Sequence, residues 1–415
     1  MIDIEIILAI LFVVILGIIL VINRKKLVLQ KVLFPIIYII MYRTKLGIKL
    51  MDKIANKYRN LVQFFGYISV GIGFVGMVFI SVSILMVIFK LIFTPHTASS
   101  DMVLVLPFTN IPGIGYLPFT SWIIAIFVLA VLHEFSHGVV ARAHNVQVES
   151  SGFAFLGIIL PIIPAAFVEP NEAKLKKEKE IVQYSIFAAG PVSNIFLAII
   201  LFLVMTAFFN PIEARLMQPT GFSFEITNTT LPAGAAGLKT GDVVTSFNNN
   251  SVTDANYFLN QMLYCVKPGQ QITFGVTNTT ESAENNAAII TTNYAVTTIA
   301  SPTDANRGFV GVNNIQNHLE IKAQYKNKIG VKIFFWFKDL FKWLFLLNLF
   351  IGLANLMPLG IVDGGRMLQL LLTSTIKDEK KAMKIWGFIG ILFLIFILFG
   401  LITNYVGNPF KYIFG

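Results

Sequence analysis

Residues 122–141 read WIIAIFVLAVLHEFSHGVVA, an apolar run that contains His133, Glu134 and His137. About 20 apolar residues are enough to cross a bilayer as one helix. An ionisable side chain inside such a span costs on the order of 3 kcal/mol, so three of them within about one turn predict a compensating partner. Histidines at positions i and i+4 share a helix face and can bind one metal ion, and Glu134 can accept a proton from water there. The alternative interpretation is a buried polar cluster between helices.

The composition of the whole chain is typical of a membrane protein with several spans. Of the 415 residues, 55% are hydrophobic and 13% are charged, whereas an ordinary soluble protein carries about 25% charged residues. We therefore relate the net charge of +10 to membrane topology, and we expect the lipid bilayer, and no nucleic acid, as a partner. The single cysteine, Cys265, excludes an intramolecular disulfide and a cysteine-based metal site.

The run around His133 is the third of six apolar runs that we interpret as membrane spans. They are Ile6–Ile22, Phe64–Phe89, Trp122–Ala141, Ile181–Phe209, Ile333–Met357 and Ile385–Ile402. The first run could be a signal peptide, but Asp3 and Glu5 make its start acidic, and we prefer an uncleaved span. Residues 27–42 are apolar but contain Gln30 and Lys31, so we predict an interfacial helix there, or a seventh span if it crosses the membrane.

The distribution of lysine and arginine predicts the orientation of the spans. Segment 24–59 holds ten of these residues, segments 142–180 and 363–384 hold five each, and loop 94–121 holds none. Residues 210–332 hold eight, which is a much lower density. Because positively charged loops remain in the cytoplasm, we predict that residues 210–332 face outside.

Two segments between the spans have patterns of their own. Residues 213–325 are rich in Asn, Thr, Ser and Gly and contain short alternating runs, which predict strands in a separate domain. Residues 152–170 are apolar, but Pro161, Pro164 and Pro170 argue against a helix. We expect a strand–loop–strand there, which either re-enters the membrane beside the active site or lies on the cytoplasmic surface.

A catalytic zinc site needs a third protein ligand besides two histidines. We expect His96 and His144 to be solvated, in an outer and an inner loop. Asp363 is the better candidate, because a carboxylate in the apolar, glycine-flanked stretch NLMPLGIVDGGR (355–366) needs a partner. His137 also lies toward the cytoplasmic end of its helix. The alternative for Asp363 is a helix-capping residue near the surface.

The motifs HEFSH and NLMPLGIVDGGR together resemble the two signatures of the site-2 protease family of intramembrane zinc proteases. The resemblance implies one catalytic Zn²⁺ ion bound by His133, His137 and Asp363. It also implies that Glu134 is the catalytic base.

Further stretches are similar to the same kind of protein. Residues 190–194, GPVSN, resemble a G-P-x-x-N segment of the family, which implies that Asn194 binds substrate. The family's membrane-re-entrant strands, thought to pair with an unwound substrate, correspond to residues 152–170. Residues 231–244, LPAGAAGLKTGDVV, resemble a motif of PDZ domains in bacterial-type proteases. Residues 213–325 would then be a PDZ-like domain that binds peptides by strand addition or acts as a steric filter.

We therefore predict a polytopic α-helical membrane protein with about six transmembrane helices, a re-entrant β-hairpin and an inserted extracytoplasmic, mixed α/β PDZ-like domain. Residues 1–120 would form the N-terminal spans and a cytoplasmic basic segment. Residues 121–212 and 326–415 would form the two halves of the catalytic membrane core, on either side of the PDZ-like domain at 213–325.

The predicted function is hydrolysis of peptide bonds within or next to transmembrane segments of single-span membrane proteins. We expect a plasma-membrane location, with the active site toward the cytoplasm. The target must unwind locally, because a helix engages its carbonyl groups in internal hydrogen bonds. Two alternatives are a metal transporter and an inactive zinc-binding membrane PDZ scaffold. The clustering of ionisable residues at one depth disfavours the transporter, and the presence of Glu134 disfavours the scaffold.

Overall fold

The computed structural model describes residues 4–33, 37–94, 102–111, 113–158, 160–279 and 289–412. The chain forms two compact units, one from residues 1–205 and 336–415 and the other from residues 206–335. The HEFSH motif and Asp363 belong to the first unit, and nearly all of the second unit is the segment predicted as an inserted domain.

The described residues form helices and antiparallel strands. The helices are α1 (Ile4–Ile22), α2 (Ile48–Lys57), α3 (Arg59–Phe93), α4 (Phe119–Ala143), α5 (Glu172–Leu175), α6 (Glu180–Val204), α7 (Asn210–Leu216), α8 (Pro232–Ala235), α9 (Ala255–Tyr264), α10 (Ile329–Ala354), α11 (Asp363–Thr375) and α12 (Glu379–Val406). The strands are β1 (Leu27–Leu33), β2 (Ile37–Thr44), β3 (Asn110–Ile111), β4 (Gly115–Tyr116), β5 (Val148–Ile158), β6 (Leu160–Pro170), β7 (Met217–Ile226), β8 (Val244–Phe247), β9 (Asn250–Ser251), β10 (Gln271–Thr279), β11 (Ile289–Thr297), β12 (Ile299–Ala300), β13 (Gly308–Phe309) and β14 (Val312–Ile321).

Five helical segments in the described part of the chain are long and apolar enough to cross a membrane. They are Ile4–Ile22, Arg59–Phe93, Phe119–Ala143, Glu180–Leu216 and Glu379–Val406, and they contain five of the six predicted runs. The remaining run lies mostly in α10, a helix of 26 residues, in which Lys338, Asp339 and Lys342 reduce the apolar character. These helices are typical of a multi-pass membrane protein, and the sixth span stays a prediction.

Helix α4, which carries the HEFSH motif, packs against three neighbouring helices. A Cβ atom on Gly66 of α3 would lie 3.1 Å from the side chain of Val140 in α4, so these helices approach closely. Val140 also packs with Ile186 of α6 in a buried cluster. At another level, Leu129 of α4 and Leu347 of α10 are buried together in a second cluster. The part of α4 from His137 to Ala141 is buried in this packing.

The first unit also contains a four-stranded antiparallel sheet with the strand order β1-β2-β5-β6. Strands β5 and β6 form the hairpin that we predicted at residues 152–170. The interfacial helix predicted at residues 27–42 is wrong, because this segment forms β1 and most of β2, and β2 pairs with β5. The isoleucines and tyrosines of the segment favour strands. Strand β6 lies at one edge of the sheet.

The second unit is a mixed α/β fold. Its main sheet has the strand order β11-β10-β8-β7-β14, and β9 pairs with β8. Phe258 of α9 stacks on Phe222 and packs against Phe247 and Phe274, so the helix covers one face of the sheet. Cys265 follows α9 and is exposed. The architecture is compatible with the predicted inserted domain, and its PDZ-like character stays a prediction.

Candidate metal centre

His133 and His137 lie one turn apart on α4, on the same face of the helix. Their Nε2 atoms are 3.1 Å apart, and each residue is only 8% exposed. The i, i+4 spacing therefore brings two metal-binding nitrogens together inside the helical unit.

Asp363 reaches the two histidines from α11. Its Oδ2 atom lies 2.9 Å from Nε2 of His133 and 3.2 Å from Nε2 of His137. The structure thus brings together the three residues proposed as ligands, although 230 positions separate His133 from Asp363 in the chain.

The glycines after Asp363 allow the start of α11 to lie against the loop that follows α10. The backbone N–H of Gly364 donates to the carbonyl oxygen of Asn355 over 2.8 Å. A Cβ atom on Gly365 would overlap the carbonyl oxygen of Leu359. Because no side chain intervenes, the first turn of α11 stays close to the preceding backbone, and this approach positions the Asp363 carboxylate.

The residues present fit a tetrahedral zinc ion. Ligand atoms about 2.0–2.2 Å from zinc in a tetrahedron lie roughly 3.3–3.6 Å apart, close to the separations of 2.9–3.2 Å between the three ligand atoms. Gly190 of α6 lies behind them. A Cβ atom there would overlap Nε2 of His137 and lie 2.7 Å from Nε2 of His133. Space for a bound ion therefore depends on the missing side chain, and two imidazoles with one carboxylate are a donor set that zinc accepts.

Both histidines have a neighbour at their second ring nitrogen, and both neighbours belong to α6. Nδ1 of His137 lies 2.6 Å from the carbonyl oxygen of Ile186. A carbonyl can only accept, so Nδ1 carries the proton and Nε2 keeps its lone pair for a metal. Nδ1 of His133 lies 3.3 Å from the side-chain amide of Asn194, which is fully buried.

Glu134 points from α4 toward the edge strand β6. Its Oε2 atom accepts a hydrogen bond from the backbone N–H of Val168 over 3.0 Å. A carboxylate can accept about four hydrogen bonds, so this contact orients Glu134 and leaves it able to accept a proton from water. Glu134 is thereby in direct contact with the edge strand of the hairpin.

The remaining histidines near the predicted spans are His96 and His144. His96 lies outside the described residues. The prediction that His144 is solvated is wrong, because it is 8% exposed. Its ring lies 5.5 Å from the ring of Tyr67 in α3, and its Nε2 lies 3.5 Å from Oγ of Ser185 in α6. Burial lowers the pKa of His144, which favours the neutral ring.

Three groups that shape the site were not predicted. The carbonyl of Ile186 and the N–H of Val168 are backbone groups, and no sequence motif marks them. A place for Gly190 near the site could have been predicted from the sequence, because it lies four residues before Asn194 and therefore on the same face of α6.

Comparisons with known proteins identify the family of the chain. The family model for peptidase family M50 matches residues 121–397, about two thirds of the chain, and so includes the HEFSH motif and Asp363. An uncharacterized protein of Methanocaldococcus jannaschii is 30% identical over 155 residues, which are 37% of this chain and 40% of that protein. The matched region thus spans less than half of the relative's length. The chain belongs to peptidase family M50, the site-2 protease family of membrane metalloproteases.

Proposed function

We propose that this chain is a zinc-dependent endopeptidase that hydrolyses peptide bonds within or next to transmembrane segments of single-span membrane proteins. The observation that carries the proposal is the buried meeting of His133, His137 and Asp363, with ligand atoms 2.9–3.2 Å apart. Membership of a peptidase family of membrane metalloproteases supports the same conclusion.

The proposed chemistry is metal-assisted hydrolysis. A zinc ion held by His133, His137 and Asp363 would acidify a water molecule and polarise the scissile carbonyl group. Glu134 accepts the proton of the attacking water and returns it to the leaving amine nitrogen. The Val168 N–H holds the Glu134 carboxylate in position for this transfer over 3.0 Å.

The substrate must present an unwound segment, because a helix hides its carbonyl oxygens in internal hydrogen bonds. The outer edge of β6 is suited to receive such a segment by strand addition, and this edge already contacts Glu134 through Val168. Glycine or proline in the substrate span would promote unwinding. A product released to the cytoplasm is the expected outcome.

A paired measurement tests this function. The purified full-length chain in liposomes should contain one zinc ion per chain and cleave a single-span substrate that has glycine or proline in its span. A chelator should abolish cleavage, and added zinc should restore it. A chain that carries zinc but cleaves no helix-destabilised substrate would contradict the protease proposal and agree with a scaffold or a transporter.

The second part of the proposal concerns residues 213–325, which we place outside the cytoplasm as a PDZ-like filter for substrates. Cys265 offers a direct test, because it is the only cysteine of the chain and it is exposed. A membrane-impermeant maleimide should label intact cells at Cys265, and Cys265→Ser should remove the label. Labelling only after the plasma membrane is opened would contradict this topology or the proposed plasma-membrane location.

The filter role needs a separate test. With the domain present, substrates already trimmed outside the membrane should be cleaved faster than full-length ones. A chain without residues 213–325, shown to remain folded, should cleave both at similar rates. Equal cleavage of the two substrates by the intact chain would contradict the filter.

A further inference from the structure

We propose that Asn194 is a positioning residue, which accepts a hydrogen bond from the Nδ1–H of His133 through its side-chain oxygen and so directs Nε2 to the metal. This inference rests on the proposed zinc site. It gives Asn194 a role behind a metal ligand, which differs from the substrate binding that the family resemblance implies.

The first step of the argument is the chemistry of His133. Its Nε2 lies 2.9 Å from Oδ2 of Asp363, on the side of the proposed metal. A neutral imidazole that binds a cation through Nε2 carries its proton on Nδ1, which then needs an acceptor. The neighbour of Nδ1 is the amide of Asn194, 3.3 Å away.

The second step is the orientation of that amide. As placed, Nδ2 of Asn194 faces His133, and Oδ1 is buried without a hydrogen-bond partner among the described residues. Nitrogen and oxygen of a side-chain amide have nearly the same shape, and a half turn of the amide exchanges them. The half turn brings the oxygen to the Nδ1–H of His133. It breaks no hydrogen bond of Oδ1, because that atom makes none with the described residues.

The third step is the comparison with the other ligand histidine. His137 already shows the arrangement proposed for His133, since its Nδ1 lies 2.6 Å from a carbonyl oxygen, that of Ile186. Ile186 and Asn194 are eight residues apart on α6 and so share a helix face. One face of α6 therefore supplies an oxygen acceptor to each histidine, and both are fixed in the tautomer that binds metal through Nε2.

The fourth step is the burial of Asn194. The residue has no exposed surface, and its amide nitrogen already lies against His133. An apolar side chain of similar volume at this position would leave the Nδ1–H of His133 without this acceptor. Loss of the acceptor should lower the affinity for the metal.

The test compares three variants of the full-length chain in detergent. Asn194→Leu keeps the volume but removes the acceptor, and Asn194→Asp keeps acceptors and removes the amide donor. The matched control is Asn348→Leu, because Asn348 is also fully buried, and its Oδ1 also lacks a hydrogen-bond partner among the described residues. The Asn348 amide donates to the carbonyl of Leu344 and is not bonded to a ligand histidine.

The readouts are the Zn²⁺ dissociation constant, measured by competition with a chromophoric chelator, and the visible absorption of bound Co²⁺. We expect Asn194→Leu to weaken zinc binding by about 10- to 100-fold and to change the Co²⁺ spectrum. Asn194→Asp should bind zinc at least as tightly as the wild type, and Asn348→Leu should bind it as the wild type does.

Three results would overturn the inference. These are unchanged zinc binding in Asn194→Leu, equal losses in Asn194→Leu and Asn194→Asp, or an equal loss in Asn348→Leu. If Asn194→Leu does not fold, Asn194→Asp decides alone, because zinc loss there means that the amide donor is needed. A wild type that binds zinc and cleaves substrate, with Asn194→Leu unchanged, refutes the positioning role only. A wild type that binds no zinc refutes the proposed function as well.

Discussion

Gly190→Ala should weaken zinc binding, although it adds a single methyl group. The new Cβ would overlap Nε2 of His137 and lie 2.7 Å from Nε2 of His133. The optimal separation of two non-bonded atoms is about 3.5 Å. The His133 ring would therefore have to move about 0.8 Å away from the new Cβ, from 2.7 Å, and the His137 ring would have to move as well. A metal site tolerates ligand displacements of only about 0.2 Å.

The strain falls on the metal-bound state in particular. Without metal, the imidazoles of His133 and His137 can turn away from the methyl group, but a bound ion holds both Nε2 atoms in place. Overpacking a tight interior costs about 1–3 kcal/mol, which converts to roughly 5- to 150-fold in the dissociation constant. Helix stability works in the opposite direction, because alanine is favoured over glycine in a helix by about 1 kcal/mol. A loss of zinc therefore could not be attributed to a weaker α6.

The assay is zinc affinity of the purified chain by chelator competition, with the thermal midpoint of the metal-free protein as a check of folding. Gly71→Ala is the matched control, because Gly71 is also inside a helix and a Cβ atom there would meet no atom of the described residues within 4 Å. It should leave zinc affinity unchanged. Zinc binding by Gly190→Ala at the wild-type level would refute the argument that the missing side chain makes room for the ion.

Three further predictions concern the groups around the metal site. Glu134→Gln should retain zinc, but its cleavage rate should fall by about a hundred- to ten-thousand-fold, because the amide cannot accept the proton of water. Elemental analysis measures the zinc content and a cleavage assay measures the rate. Full activity would show that Glu134 is not the base. Asp363→Ala should reduce bound zinc and abolish cleavage while the protein remains inserted, and unchanged zinc content would exclude Asp363 as a ligand. Val168→Pro removes the N–H that donates to Glu134 over 3.0 Å. Val168 lies on an edge strand, where proline is tolerated. It should lower the cleavage rate with zinc retained, whereas Val168→Ala keeps the N–H and should not; equal rates in the two variants would contradict the orienting role.

Much of the candidate site could be predicted from short-range patterns. The i, i+4 spacing of His133 and His137 needs only a helix to bring the two rings together, and their position in an apolar span makes a partner necessary. Asp363 was found by the same reasoning, as a carboxylate in apolar surroundings. The hairpin at residues 152–170 followed from its prolines, which no span could accommodate without cost.

The errors arose where distant parts of the chain decide the structure. Residues 27–42 are short apolar runs, for which periodicity does not separate a strand from a buried helix. Their strand form depends on pairing between β2 and β5, whose partners Ile40 and Phe155 are far apart in sequence. Burial of His144 likewise depends on Tyr67 and Ser185 from two other helices.

The neighbours of the two histidines show that the proposed metal site places requirements on α6 as well as on α4. Moving along α6 from residue 186 through 190 to 194, the groups that meet α4 are a carbonyl oxygen, a gap and a buried amide. The carbonyl meets His137 and the amide meets His133, so the two helices run in opposite directions at this point. Ile186 and Asn194 lie on one face of α6 with Gly190 midway between them, so each of the two histidines of α4 has its own neighbour on α6. The proposed metal site therefore depends on α6 as well as on α4 and on Asp363 of α11, and the HEFSH motif records only the part that α4 contributes.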